Sequence, residues 1–359
     1  MAYITLNRKK LEKNFKYLDR IFKKNNIKWS VVTKLLCGNK LYIGELLKLN
    51  VFQAADSRIS NLRTIKSLKP EIETIYIKPP AKHAVSNVVR YADISLNTSI
   101  TVIKMLSKEA LKQNKIHKII IMIEMGELRE GIMRDDLIDF YSSVFELPNI
   151  EVAGIGTNLA CLYGVLPNND KLIQLSLYKQ LIDATFNKKI PLVSGGASVT
   201  IPLIFNRTLP KGINHFRVGE TLFLGTDVYH DTTFEKMHND VFRLFAEIIE
   251  LIEKPVVPMG EMGTNVQGEA AEIKEEDYGK TTKRALIDIG LLDIEENQIF
   301  PLDGDISIVG ASSDMIVIDL GDNEKNYKVG DFLEFRMTYM GTVRIMNSKY
   351  IEKRLAENN

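Results

Sequence analysis

The sequence predicts an α/β protein: a (β/α)8 TIM-like barrel followed by a second, C-terminal mostly-β domain. Eight short runs rich in Val, Ile and Thr alternate with helical patterns over the first two-thirds of the chain. After about residue 235 that alternation stops, and strand-like runs follow one another. A length of 359 residues is also too great for one ordinary core and fits two domains.

Taken in order, YITLN (3–7) reads as an extra strand of the second domain. Segment 7–26 spaces Leu11, Phe15, Leu18, Ile21 and Phe22 three to four apart, which predicts an amphipathic helix. The eight runs are WSVVTK (29–34), VFQAAD (51–56), TIYIKP (74–79), ADISLN (92–97), KIIIMIE (118–124), VAGIGT (152–157), PLVSGG (191–196) and HFRVGETL (215–222). Helical stretches at 39–49, 58–68, 81–91, 99–113, 134–147 and 169–187 separate them. An open doubly wound sheet usually has fewer strands, and no GxGxxG follows the first run. The barrel is therefore placed at 8–235 and the β domain at 236–359 with strand 1–7. In the latter, 239–252 reads as a long helix ahead of Pro255 and Pro258. RALIDIG (284–290), DISIVGA (305–311), MIVIDLG (315–321), DFLEFRM (331–337) and GTVRIM (341–346) read as strands.

Composition narrows the function classes. The 47 basic and 46 acidic residues nearly cancel, so the charge gives no reason to expect nucleic acid or an anionic membrane as partner. No stretch approaches the roughly 18 apolar residues of a membrane span. The N-terminus lacks the apolar run of a signal peptide. Cys37 and Cys161 form neither CxxC nor a disulfide framework, which suits a reducing cytoplasm. The histidines His83, His117, His215, His230 and His238 have no metal-ligand spacing, so no metal is expected.

In a barrel of this class the reactive residues sit at the C-terminal ends of the strands. The first run ends in Lys34, where an amine can be desolvated and used to form a Schiff base. From this feature alone the lysine could equally face solvent. The fifth run is followed by Glu124-Met125-Gly126-Glu127-Leu128-Arg129-Glu130-Gly131, and the sixth ends in Thr157-Asn158. The seventh ends in Ser194-Gly195-Gly196-Ala197-Ser198, and the eighth carries Arg217-Val218-Gly219-Glu220. Small residues after the last two strands let backbone N–H groups approach a phosphate. Each motif alone also fits a turn, a cap or a structural arginine.

Together these motifs resemble the alanine racemase family, the fold-type III pyridoxal-phosphate enzymes, over nearly the whole chain. VVTKLLCGN is similar to the family's first-strand motif, whose lysine binds the cofactor; this implies that role for Lys34. The run ending in Arg129 and Gly131 resembles the family's aspartate-threonine-glycine-x-x-arginine-x-glycine, which implies that Arg129 meets the cofactor's phenolic oxygen or the substrate carboxylate. GIGTNLAC resembles the sixth strand, with Asn158 where a histidine is common. FRVGETLFLG resembles the eighth, which implies Arg217 at the pyridine nitrogen. Phosphate would then be held by Ser198, Gly219 and the N–H of Glu220, with Ser194, Gly195 and Gly196 in the cradle and Tyr339 added from the second domain. IVGASSDMIVIDL is similar to the family's glycine-rich strand pair, and KLLCG, TNLAC, GGAS and GASSD together look most like its ornithine racemase branch. The family's second catalytic tyrosine is missing, since Gly290-Leu291-Leu292-Asp293 stands in its place.

The resemblance implies two-base proton transfer at Cα of a free amino acid, with ornithine favoured over lysine and alanine and Lys34 as one base. Asp293, Ser313, Asp314 and Tyr339 are candidates for the other. A basic substrate needs a carboxylate partner, and the acidic stretch with Glu261, Glu269 and Glu272 supplies candidates. A homodimer is implied. The alternatives are another fold-type III enzyme, a lyase or decarboxylase, and a pyridoxal-phosphate-binding protein without turnover.

Overall fold

The computed structural model describes every residue except Val266, Gln267, Glu269, Ala271, Asn358 and Asn359. The chain divides into two compact units, Lys9–Asn239 and Met1–Arg8 with Asp240–Asn359. After β1 (Tyr3–Leu6) comes α1 (Arg8–Lys24), and then the barrel: β2 (Lys28–Val32), α2 (Lys40–Leu47), β3 (Gln53–Asp56), α3 (Ile59–Leu68), β4 (Glu73–Tyr76), α4 (Val85–Tyr91), β5 (Ile94–Asn97), α5 (Ile100–Lys112), β6 (His117–Met122), α6 (Leu137–Phe145), β7 (Ile150–Gly156), α7 (Asn169–Phe186), β8 (Leu192–Ser194), β9 (Gly196–Ala197), α8 (Ile201–Phe205), β10 (His215–Val218) and α9 (Glu220–Leu224). A short ribbon, β11 (Thr226–Asp227) with β12 (Thr232–Thr233), follows.

The barrel strands are parallel and lie in the order β8-β7-β6-β5-β4-β3-β2-β10-β9. β8 and β9 are two halves of one strand broken at Gly195; the first half pairs with β7 and the second with β10. The ring therefore closes through the chain itself, and eight strands tilt around a filled interior. That interior holds Val32, Ala55, Ile75, Ile94, Leu96, Ile120 and Met122. Gly196 is where the closure is tightest. A Cβ there would lie 2.2 Å from the Phe216 ring. Outside the wall, Phe22 of α1 packs on Trp29 and Phe216 with ring centroids 5.2 Å apart in each case. The eighth run is shorter than the sequence suggests: β10 stops at Val218, and Leu222 belongs to a helix.

The other unit is built on β13 (Phe242–Pro255), β14 (Thr281–Ile287), β15 (Ile299–Pro301), β16 (Ser307–Ala311), β17 (Ile316–Asp319), β18 (Phe332–Met337), α10 (Tyr339–Asn347) and β19 (Glu352–Leu355). β13 overturns the helix predicted at 239–252. Phe242, Leu244, Ala246 and Ile248 are all buried, a period of two that coexists in the sequence with helical spacing. Pairing decides the matter: one end of β13 lies between β1 and β18, and the other runs against β14 past a bulge between Ile248 and Glu250. Ladders on both sides override the helix preference of Glu, Leu and Ala.

The predicted strand 341–346 is instead α10. The Thr338 side chain accepts a hydrogen bond from the Gly341 N–H at 3.0 Å, and Gly341, Thr342, Ile345 and Met346 are buried. β1 is the extra strand expected of this unit, antiparallel to β13 and parallel to β19. Among the described residues no helix is long and apolar enough to cross a membrane.

Candidate active site

The candidate rim begins at the end of β2. Thr33 is fully buried; its N–H donates to the Ala55 carbonyl at 2.8 Å and its hydroxyl to Asp56 Oδ2 at 2.7 Å. Asp56 also accepts from the Arg58 N–H and from Asn61 Nδ2. Burial raises the pKa of Asp56, against the pull of these hydrogen bonds. The chain then makes a single 3-10 turn, Lys34–Leu36, anchored by Leu35 and Leu36, which are 1% and 0% exposed. Lys34 therefore faces outward and is exposed. The sequence predicts a desolvated amine; here the side chain at 34 is exposed, because the buried positions of the turn go to Thr33, Leu35 and Leu36. Lys34 shares its part of the rim with Cys161 and Glu220, both of which feel its charge.

Arg217 is the centre of the polar network and is 6% exposed. Its Nη1 donates to the Ser194 carbonyl at 2.8 Å and to the Ser194 hydroxyl. Nη2 donates to the Thr157 carbonyl at 2.8 Å and to Asn158 Oδ1 at 2.6 Å. Asn158 in turn donates through Nδ2 to Glu130 Oε1, and Arg129 grips both oxygens of Glu130. Burial pushes the Arg217 pKa down to about 10, with the Glu130 carboxylate holding it up. The guanidinium thus stays charged at neutral pH. Its Nε–H is the one donor with no protein partner among the described residues.

The loops that carry Arg129 and Asn158 are tied together by Glu127, which is 2% exposed. Its carboxylate accepts from the N–H groups of Cys161, Tyr163 and Val165 at 2.8–3.1 Å. Burial alone would raise the Glu127 pKa; the backbone donors outweigh it, and the carboxyl lies below its usual range. Leu128, Ala160 and Cys37, one on each rim loop, hold φ of 52°, 54° and 47°. Such left-handed conformations cost about 1–3 kcal/mol each in non-glycine residues and persist only where the surroundings enforce them. Glu127→Gln is expected to lower stability by about 2–3 kcal/mol, since a charged acceptor of several buried N–H groups is lost. Urea denaturation checks this, and an unchanged midpoint would show that the loops hold themselves.

The turns after β9 and β10 carry small residues, Ser198 and Gly219. Ser198 Oγ accepts from the Thr221 N–H at 3.3 Å, joining the turn after β9 to the start of α9. A Cβ at Gly219 would come within 2.9 Å of the Val32 carbonyl, so only glycine lets this turn lie on the end of β2. Glu220 is partly buried; burial raises its pKa, and Lys34 and Thr226 pull it back.

The N-terminal domain model of alanine racemase matches residues 6–227. The chain belongs to the alanine racemase family. The ornithine racemase of Acetoanaerobium sticklandii is 39% identical over 353 residues, covering 98% of this chain and 99% of that protein. The lysine racemase of Thermotoga maritima is 29% identical over 350 residues, covering 98% and 97%. The crystal structure of alanine racemase from Bartonella henselae with covalently bound pyridoxal phosphate superposes with a TM-score of 0.73 at 17% identity, covering 99% of each chain.

Of the residues predicted from the family's motifs, Lys34, Arg129, Asn158, Ser194, Gly195, Gly196, Ser198, Arg217, Gly219 and Glu220 belong to the barrel unit. Tyr339 belongs to the other unit, as the first residue of α10. In that unit the Asp293 carboxylate accepts from the Ser348 hydroxyl at 2.6 Å, and the Ser313 hydroxyl donates to Asp314 at 2.6 Å. Glu261 and Glu272 are exposed, and Glu269 lies outside the described residues. Glu127, Glu130 and Asp56 were missed as supports. The first two stand inside the quoted motif, but nothing in the sequence says which backbone or arginine they meet.

Proposed function

We propose that this chain is a pyridoxal-phosphate-dependent racemase that interconverts the L and D forms of ornithine at the barrel rim. Arg217 carries the cofactor reading: a buried, charged guanidinium with four N–H groups held by the wall and its Nε–H left over. That leftover donor suits an unprotonated pyridine nitrogen, which can only accept. The Lys34 amine suits the cofactor's aldehyde, and Ser198, Gly219 and the N–H of Glu220 suit its phosphate. The full-length likeness to an ornithine racemase carries the substrate.

Pyridoxal phosphate, when bound, supplies an electron sink that acidifies the substrate Cα–H. Lys34 takes or returns the Cα proton on one face. Arg217 keeps its own proton near neutral pH, so it would leave the ring nitrogen unprotonated, which would limit electron withdrawal and disfavour transamination. Arg129, held by Glu130, would meet the phenolic oxygen or the substrate carboxylate. The base on the opposite face is sought among Asp293, Ser313, Asp314 and Tyr339. Glu261, Glu269 and Glu272 are the candidate partners of the substrate ammonium group.

A second copy of the chain covers the rim. Lys34 is exposed, and Leu128, Leu162 and Tyr163 on the adjoining loops are 66%, 60% and 68% exposed. The free cysteines Cys37 and Cys161 suit the cytoplasm.

Incubation with L-ornithine, L-lysine and L-alanine, followed by chiral chromatography, tests the function. D-ornithine is expected to form fastest, at constant total amino acid. Loss of total amino acid would replace this reading with a lyase or decarboxylase. A cofactor-loaded protein that turns over none of the three would replace it with a binding protein.

A further inference from the structure

A polar relay runs through the hydrophobic interior of the barrel from its N-terminal end to Arg217. His215 and Arg217 stand two apart on β10 and point the same way. The Ser194 hydroxyl lies 2.7 Å from His215 Nδ1, and His215 Nε2 lies 2.8 Å from Gln53 Oε1. Gln53 Nε2 then donates to Glu73 Oε2, its register partner on β4. Gln53, Glu73 and His215 also line a cavity of about 180 Å³ with Lys28, Lys118 and Glu151.

Chemistry permits one direction at every link. A guanidinium only donates, so Ser194 Oγ accepts from Arg217 and its single hydrogen goes to His215 Nδ1. The imidazole proton is then on Nε2 and goes to Gln53 Oε1. The Gln53 amide is left to donate to the Glu73 carboxylate; flipping it would set oxygen against oxygen at one end and N–H against N–H at the other. Protonation does not disturb the order. His215 is 1% exposed, and burial, followed by the charges of Arg217 and Lys28, pushes its pKa down to about 3.

We propose that His215 is a positioning residue for Arg217: through Ser194 it holds the Nη1 edge of the guanidinium in the barrel wall, so that the Nε edge faces the ring nitrogen. This inference rests on reading Arg217 as the ring-nitrogen partner. It extends the site to residues at the opposite end of the barrel. Gln53 and Glu73 fix the imidazole tautomer, the tautomer fixes the hydroxyl rotor of Ser194, and that rotor presents a lone pair to Arg217.

The test uses holoenzyme loaded with ring-15N pyridoxal phosphate, whose nitrogen signal reports the hydrogen bond it receives. His215→Phe cuts the relay, and Gln53→Met cuts it at the base while leaving every rim residue in place. His215→Asn restores an acceptor for Ser194. Both cuts are expected to move the 15N signal toward that of Arg217→Met and to lower kcat about 10- to 100-fold, the scale of a small misplacement of a reacting group. His215→Asn is expected to recover most of both. Should His215→Phe fail to fold, Gln53→Met and His215→Asn decide alone. A wild-type 15N signal in the cut variants, with a signal that does move in Arg217→Met, would overturn the relay. A signal that stays put even in Arg217→Met would overturn the Arg217 reading instead.

Discussion

Lys34→Ala is expected to remove racemisation by a factor of at least about 10³ while leaving the fold intact, because the proposed function uses the amine as both attachment point and proton carrier. The side chain is exposed, and its turn is anchored by Leu35 and Leu36. Truncating an exposed side chain of this kind costs within about 0.5 kcal/mol. Chiral chromatography reads the activity. Borohydride reduction followed by peptide mapping reads the attachment, which is expected at Lys34 in the wild type and nowhere in the variant. Thermal unfolding is expected to be nearly unchanged. Wild-type turnover in Lys34→Ala, or a reduced adduct on another lysine, would remove Lys34 from the mechanism.

Mild acid is expected to destabilise the protein by about 4 kcal/mol between pH 7.5 and 5, from two buried neutral histidines. His117 and His215 are 2% and 1% exposed. Burial, partly offset by Asp93, lowers the His117 pKa to about 4, and burial with Arg217 and Lys28 lowers that of His215 to about 3. In the unfolded chain each ring titrates near its ordinary value of about 6.5. Below that pH the unfolded state binds a proton at each ring that the folded state refuses, so stability falls as pH falls. It stops falling only near the folded pKa values. The slope is about 1.4 kcal/mol per pH unit for each ring. Urea unfolding at pH 7.5, 6.5 and 5 measures it. His117→Gln, which keeps a hydrogen-bonding group beside the Ser95 hydroxyl, is expected to halve the slope. A pH-independent midpoint across this range would show that the rings accept protons while folded.

The barrel was legible because its signals are local. An apolar run that leads into Lys34 or Asn158, or that carries Ser194 or Arg217 near its end, marks a strand end. In a parallel barrel the C-terminal strand ends share one rim, so most of the candidate site could be assembled without coordinates. The misread segments had two admissible periodicities. The stretch 239–252 fits a helix until β1, β18 and β14 pair with it, and 341–346 fits a strand until Thr338 caps it. The first is set by strands distant in sequence, the second by a cap three residues upstream whose effect the strand-like spacing hid.

By itself the sequence determined the family, the two-part architecture and the residue types on the rim, because periodicity and terminal residues are properties of short segments. Tertiary structure alone decided the partners. It set Glu130 between Arg129 and Asn158, gave Glu127 to the backbone of the next loop, exposed Lys34, and joined His215 to Gln53 across 162 residues of chain. A hydrogen bond is directional and short-ranged, so its identity depends on which strands barrel closure makes neighbours, and no local pattern encodes that.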